Sequence, residues 1–213
     1  MFFPIKKLFP MKIIIFIILT TFSTISKSKE PLNLLFLGDS LTEGYGVPSE
    51  KAYPYLVKKR FESTLGKKVE IFNLGVSGST TSSGLSRLKW IVGRKKIDLM
   101  ILALGANDGL RGIPLKKSRQ NLEEIIRFAL EKKIKLIIAG MKIPPNYGED
   151  YRLGFEKIFK DLAKNHNVKL LPFLLKGVAG VKSLNLPDGI HPNEKGHEIV
   201  STTVFNVLKD FIK

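Results

Sequence analysis

From Leu32 onward the chain alternates short, almost wholly apolar runs with longer stretches in which apolar residues recur every three or four positions. The first pattern suits strands buried on both faces, and the second suits helices with one apolar side. The runs predict strands at Leu32 to Leu37, Val69 to Asn73, Leu99 to Leu104, Leu136 to Ala139 and Lys169 to Leu171. Leu122, Ile125, Ile126, Ala129 and Leu130 follow the i, i+3, i+4, i+7, i+8 rule and mark the clearest helix. A last helix is expected to start near Asn193 and to bury Ile199, Val200, Val204, Val207, Leu208 and Phe211. Such strand-helix alternation predicts an α/β fold, a five-stranded parallel sheet in a three-layer α/β/α sandwich. No repeat, linker or low-complexity segment interrupts it, so residues 29–213 read as one domain.

The first thirty residues break the pattern. Lys6, Lys7 and Lys12 precede the apolar run Ile13 to Leu19, and a tail of small polar residues, Ser23 to Ser28, follows. That order predicts a signal peptide over residues 1–28, cut after Ser26 or Ser28, with Met11 as an alternative start. The run is shorter than the roughly 20 residues a membrane span needs. A secreted or periplasmic location is therefore expected. The chain has no Cys, which excludes disulfides, a lipidated amino terminus and a thiol nucleophile, and three His leave little material for a metal site.

In an open parallel sheet, ligands bind beyond the carboxyl ends of the strands. The segments there are Gly38 to Gly44, Leu74 to Ser79, Gly105 to Gly109 and Met141 to Asp150, all rich in Gly and small polar residues. Ser40 follows the first strand within a turn, where Asp39-Ser40 either caps a short helix or presents a hydroxyl. Asp188-Gly189-Ile190-His191 sets a carboxylate and an imidazole three residues apart, close enough for the carboxylate to hold Nδ1–H and free Nε2 as a base. Nucleophile, base and orienting group together are what activated-hydroxyl catalysis requires. The Ser40 N–H, the Gly78 N–H and the Asn107 amide are candidate donors to a developing oxyanion. Taken singly, Gly78 also reads as a turn residue and Asn107 as a loop-fixing side chain.

Gly38-Asp39-Ser40-Leu41, the Gly78 loop, Gly105-Ala106-Asn107-Asp108 and Asp188-Gly189-Ile190-His191-Pro192-Asn193 resemble, in order, the four blocks of the SGNH, or GDSL, hydrolases. Asn107 to Gly112, Pro145 to Gly148 and Leu170 to Phe173 narrow the likeness to the periplasmic thioesterase I, lysophospholipase L1 and arylesterase group. The resemblance covers nearly the whole chain after the leader. It implies a flavodoxin-like sheet, Ser40 as nucleophile, His191 as base, Asp188 as orienting carboxylate, and Ser40, Gly78 and Asn107 as the oxyanion hole. It further implies a substrate loop containing Ile143, Pro145 and Tyr147, and cleavage of acyl esters, thioesters or lysophospholipids without a cofactor. Two positions depart from the group: Ser79, where Asp is frequent, and Ala106, where Gly is common. Both flank the acyl pocket and bear on substrate preference. An O-acetylesterase acting on carbohydrate, or a surface-binding protein that keeps the fold, are the alternatives.

Lys and Arg outnumber Asp and Glu by 35 to 19, a net charge of +16. Lys58-Lys59-Arg60, Lys67-Lys68, Arg94-Lys95-Lys96 and Lys132-Lys133 fall mostly toward helix ends, which in this architecture face away from Ser40. This charge is not expected to recognise the acyl substrate. Peripheral contact with an anionic membrane and a merely solvated surface are both open readings. Nucleic acid is not expected, since basic and aromatic residues do not interleave. His197 reads as an exposed helix residue, and His166 as a surface group that complements a helix C-terminus.

Overall fold

The computed structural model describes Met1 and residues 30–211; residues 2–28 of the assigned leader and the Phe211 side chain lie outside the described residues. Five parallel strands, β1 (Leu32–Gly38), β2 (Val69–Gly75), β3 (Leu99–Ala103), β4 (Lys135–Ala139) and β5 (Lys169–Leu171), form one sheet in the order β2-β1-β3-β4-β5. The sequence placed every strand to within two residues. β1 and β2 run on to Gly38 and Gly75, which pair in register and end the ladder together. Both must be Gly. A Cβ at Gly75 would strike the backbone of Glu43, and one at Gly38 the side chain of Thr42, so the turn after β1 could not fold down onto the strand ends.

Helices cover both faces. On one side α2 (Tyr53–Leu65) packs against α7 (Glu194–Phe211), with the Phe61 and Phe205 rings edge to face at 5.1 Å. On the other, α3 (Gly84–Val92), α5 (Leu115–Glu131) and α6 (Glu149–Asn165) lie side by side. β3 is buried throughout, as is β1 from Leu34 on. Two short helices, α1 (Ser40–Glu43) and α4 (Ala106–Leu110), follow β1 and β3 directly. The second was not anticipated, because Gly at both ends of the segment reads as loop.

α7 begins where expected and buries Val200, Val204 and Leu208, while Ile199 and Val207 are half-buried. His197 is not exposed. It is 1% accessible, and its Nδ1 accepts the Tyr53 N–H at 3.2 Å. The reason lies in α2, whose N-cap, Ala52, has no side-chain acceptor. First-turn amides need partners, and α7 brings His197 to one of them. His166 does end α6, but it is only 14% exposed, and its Nε2 lies 3.1 Å from Glu123 Oε1 on α5.

Burial, and secondarily the neighbouring His191, pushes the His197 imidazole down to about 4. The folded protein therefore resists protonating it, whereas the unfolded chain takes up the proton near 6.5. Stability should fall as pH drops from about 6.5 to 4, by an amount on the order of 3 kcal/mol from this group, and the contribution is constant outside that window. His197→Asn keeps an acceptor for Tyr53 and should flatten this part of the curve. Thermal denaturation of both proteins from pH 4 to 7.5 measures the difference in slope.

Candidate active site

β1 delivers the chain to Asp39, which caps α1 through Oδ1, accepting the Leu41 N–H at 3.0 Å. Ser40 is then the first helical residue, 8% exposed, and Gly44 ends the helix in the left-handed conformation at φ 91°. Capping and presentation of the hydroxyl are both realised in this turn. Across from it, Asp188 and His191 sit in a hairpin between β5 and α7. Leu186 N–H donates to His191 O at 2.7 Å, and Asp188 Oδ1 accepts the Ile190 and His191 amides at 2.9 and 3.0 Å. Two asparagines fasten the hairpin. Asn185 Nδ2 donates to the Val178 and Val181 carbonyls, each at 2.8 Å, and Asn193 Nδ2 to Ser183 O at 3.0 Å.

The hairpin brings together what lies 151 positions apart in the chain. His191 Nε2 is 2.8 Å from Ser40 Oγ, and His191 Nδ1 is 2.7 Å from Asp188 Oδ2. The His191 amide, followed by the ring and the Ile190 amide, holds the Asp188 carboxyl down to about 2, so it stays charged across the neutral range. With Nδ1–H directed to that carboxylate, Nε2 is left to accept the serine proton. Tyr45 lies against the imidazole with ring centroids 4.6 Å apart.

Of the three candidate oxyanion donors, Ser40 and Asn107 line one cavity with His191, and Gly78 lies in the loop that follows β2. The Ser40 N–H opens α1, where no intrahelical acceptor exists. In the β2 loop the Val76, Ser77 and Ser79 amides are engaged by Gly38 O, Glu43 and Val76 O, and Gly78 takes φ 74° between them with no acceptor for its N–H among the described residues. Asn107 Nδ2 donates to Ser79 O at 3.0 Å, which leaves its second hydrogen for another acceptor. Both readings of Asn107, loop-fixing and donating, are thus compatible.

Sequence reasoning missed the side chains beneath these loops. Asp108 is 1% exposed; its Oδ2 accepts the Thr81 N–H at 2.9 Å, and its Oδ1 accepts the Thr81 and Ser118 hydroxyls at 2.6 and 3.1 Å. It ties the Gly78 loop to the Asn107 helix. Arg87 donates to the Gly38 and Leu74 carbonyls at 2.9 and 2.5 Å, holding the ends of β1 and β2 together. Asp39 is fully buried with Oδ2 unpartnered, and burial raises its carboxyl to about 7 against the pull of the Leu41 amide, His191 and Arg87.

A cavity of about 540 Å³ opens beside Ser40, Asn107 and His191, walled by Leu110, Met141, Ile143, Pro144, Pro145 and Phe173 among others. Ile143 and Pro145 are therefore in the wall, as expected. Tyr147 is not among the lining residues. Its hydroxyl donates to Leu110 O at 2.8 Å, so it braces the loop from outside.

The model of the GDSL-like lipase/acylhydrolase family matches residues 36–199. An arylesterase of Vibrio mimicus is 36% identical over 175 residues, 82% of this chain and 87% of its own length. Thioesterase 1/protease 1/lysophospholipase L1 of Escherichia coli K12 is 30% identical over 198 residues, 93% and 91% of the two chains. Among solved structures, AlinE4, an SGNH-hydrolase family esterase, superposes with a TM-score of 0.72 at 36% identity, covering 87% of this chain and 98% of its own.

Three outcomes follow from Asn107 and the two buried carboxyls. Asp39 is harder to ionise folded than unfolded, so its contribution to stability is lost as pH rises from about 4 to 7. Asp39→Asn keeps the Leu41 cap and should raise the melting temperature at pH 8, by an amount on the order of 4 kcal/mol in stability, with little change at pH 4; scans at both values test this. Asn107→Ala should lower kcat about 10²–10³-fold with little change in KM. Asp108→Asn, which disturbs only the clamp, should lower kcat less and add little once Asn107 is gone; a double-mutant cycle reads that non-additivity.

Proposed function

Since the chain belongs to the GDSL-like lipase/acylhydrolase family and is a hydrolase acting on esters, we propose that it is an exported serine enzyme cleaving acyl esters, thioesters and lysophospholipids through an acyl-enzyme. The observation that carries this reading is the unbroken contact from Asp188 through His191 to Ser40 at the mouth of an apolar cavity. Ser40 Oγ attacks the carbonyl carbon as its proton passes to His191 Nε2, and Asp188 stabilises the imidazolium. The Ser40 and Gly78 amides and Asn107 Nδ2 hold the resulting oxyanion. Collapse breaks the bond to the alcohol or thiol, which leaves with the proton from His191. Water, deprotonated by His191, then attacks the acyl-enzyme and releases the acid.

The wall of the cavity argues for the acyl chain. Met141, Ile143, Pro144 and Phe173 suit a hydrocarbon, and about 540 Å³ is far more than an acetyl group needs. Apart from Asp39, Ser40, Asn107 and His191, the one polar side chain in the lining is Lys142, few groups for a carbohydrate to bond, which counts against the O-acetylesterase reading. The serine-histidine contact counts against a non-catalytic binding protein. Export rests on the pattern of Lys6 to Ser28. Among the described residues no helix is long and apolar enough to cross a membrane.

A fluorophosphonate should label the protein once, at Ser40, and Ser40→Ala should abolish labelling and lower kcat by at least about a thousandfold. On p-nitrophenyl esters from acetate to palmitate, kcat/KM should rise with acyl length before any decline. An optimum at acetate would favour the carbohydrate esterase, and an adduct elsewhere would overturn Ser40. Expression in a bacterial host should yield a chain trimmed near Lys27 outside the cytosol.

A further inference from the structure

The register puts four connections at the edge opposite Ser40: Leu32 pairs with Val69, Leu34 with Leu99, Leu99 with Lys135, and Ile137 with Lys169. These are the places where helices end and strands begin. Backbone hydrogen bonds run along the edge from Lys68 O to Leu32, from Asn33 O to Asp98 and from Asp98 O to Lys135. Lys67, Lys68, Arg94, Lys95, Lys96, Lys132, Lys133 and Lys169 are set along it. Asp98 and Glu131 engage Lys96 and Lys132 at 3.3 and 3.0 Å; Glu30 and Glu70 are the other carboxylates near the strand starts. Among the described residues, no carboxylate lies within 4.0 Å of the remaining cations.

The same edge carries exposed apolar side chains, one beside each basic pair or triplet. Leu65 ends α2 just before Lys67, Trp90 lies one turn before Arg94, and Leu130 lies just before Lys132. They are 41%, 53% and 40% exposed, and the Arg94 guanidinium stacks over the Trp90 ring at 4.6 Å. Lysines alone would serve solubility or the helix dipoles. Leucine and indole at the rim of a lysine-rich edge have no such use, but they suit the headgroup boundary, where ammonium groups meet phosphates and apolar tips enter the acyl layer. Nucleic acid would use the cations and leave the leucines without a partner.

We propose that this edge docks on an anionic phospholipid surface, with Trp90, Leu65 and Leu130 as apolar contacts and the unpaired lysines as the electrostatic ones. Strands of up to seven residues, rising about 3.3 Å each, keep Ser40 roughly 20 Å from that surface. The cavity mouth then faces water. Docking retains the protein at a membrane without delivering bilayer lipid to the site, so substrate arrives from solution.

Trp90 is the sole Trp, so its emission reports this edge and not the apolar amino terminus. The full chain, titrated in about 0.1 M salt with phosphatidylglycerol vesicles, should show a blue shift that phosphatidylcholine vesicles do not produce. Replacing Lys67, Lys68, Lys95 and Lys133 by Gln in the full chain should weaken binding at least about tenfold. Turnover of a short soluble ester should be the same for both chains, with or without vesicles. Undiminished binding by the variant, an unmoved emission, or an equal shift with a DNA oligonucleotide would overturn the proposal. Catalytic failure of Ser40→Ala has no bearing on it, so the two readings stand or fall separately.

Discussion

Everything functional here depends on the parallel ladder that β1 makes with β2 on one side and β3 on the other. A parallel pair brings like ends together, so three strands that are distant in sequence release their following segments at one edge. Ser40, the Gly78 loop and Asn107 leave the sheet there, within hydrogen-bonding range of one another's supports. The terminal pair, Gly38 and Gly75, is the point where this constraint is tightest. With no side chain on either residue, α1 can lie across the strand ends and turn its first residue toward the hairpin.

The same ladder separates the molecule into two chemically distinct ends. At the carboxyl end, the two carboxyls beneath the loops are buried and meet neutral donors: Asp108 two hydroxyls and an amide, Asp39 one amide. At the amino end, charge is abundant, exposed and mostly basic. Electrostatics at the site is thus set by short, fixed contacts, in which Asp188 with its two amide donors and His191 is the one strongly stabilised charge. The lysines across the molecule are too distant and too well screened to tune it.

The strand pattern and the residues of the candidate site were legible in the sequence because both are local. A buried strand is a run of apolar residues, and Asp188 and His191 share a turn. The cavity wall was legible as far as Ile143 and Pro145, but Tyr147 was not, because its hydroxyl answers to Leu110 O, 37 positions away. His197 escaped for the same reason on a larger scale: its partner amide is 144 positions distant, and a helix that shows Glu198 and Lys195 to solvent gives no sign of it. Asp108 and Arg87 satisfy loops that sequence can only describe as glycine-rich. Side chains that hold irregular backbone are invisible until that backbone has a shape.

The hairpin that carries Asp188 and His191 belongs to neither the sheet nor a long helix. Side-chain amides of Asn185 and Asn193 and a few turn bonds hold it against its neighbours, so its opening disturbs little of the core. Local opening and global unfolding are then separate equilibria. None of the pairings among the five strands runs through the hairpin, so the contact between imidazole and serine is anchored on one side by the sheet and on the other by turns and side-chain amides alone.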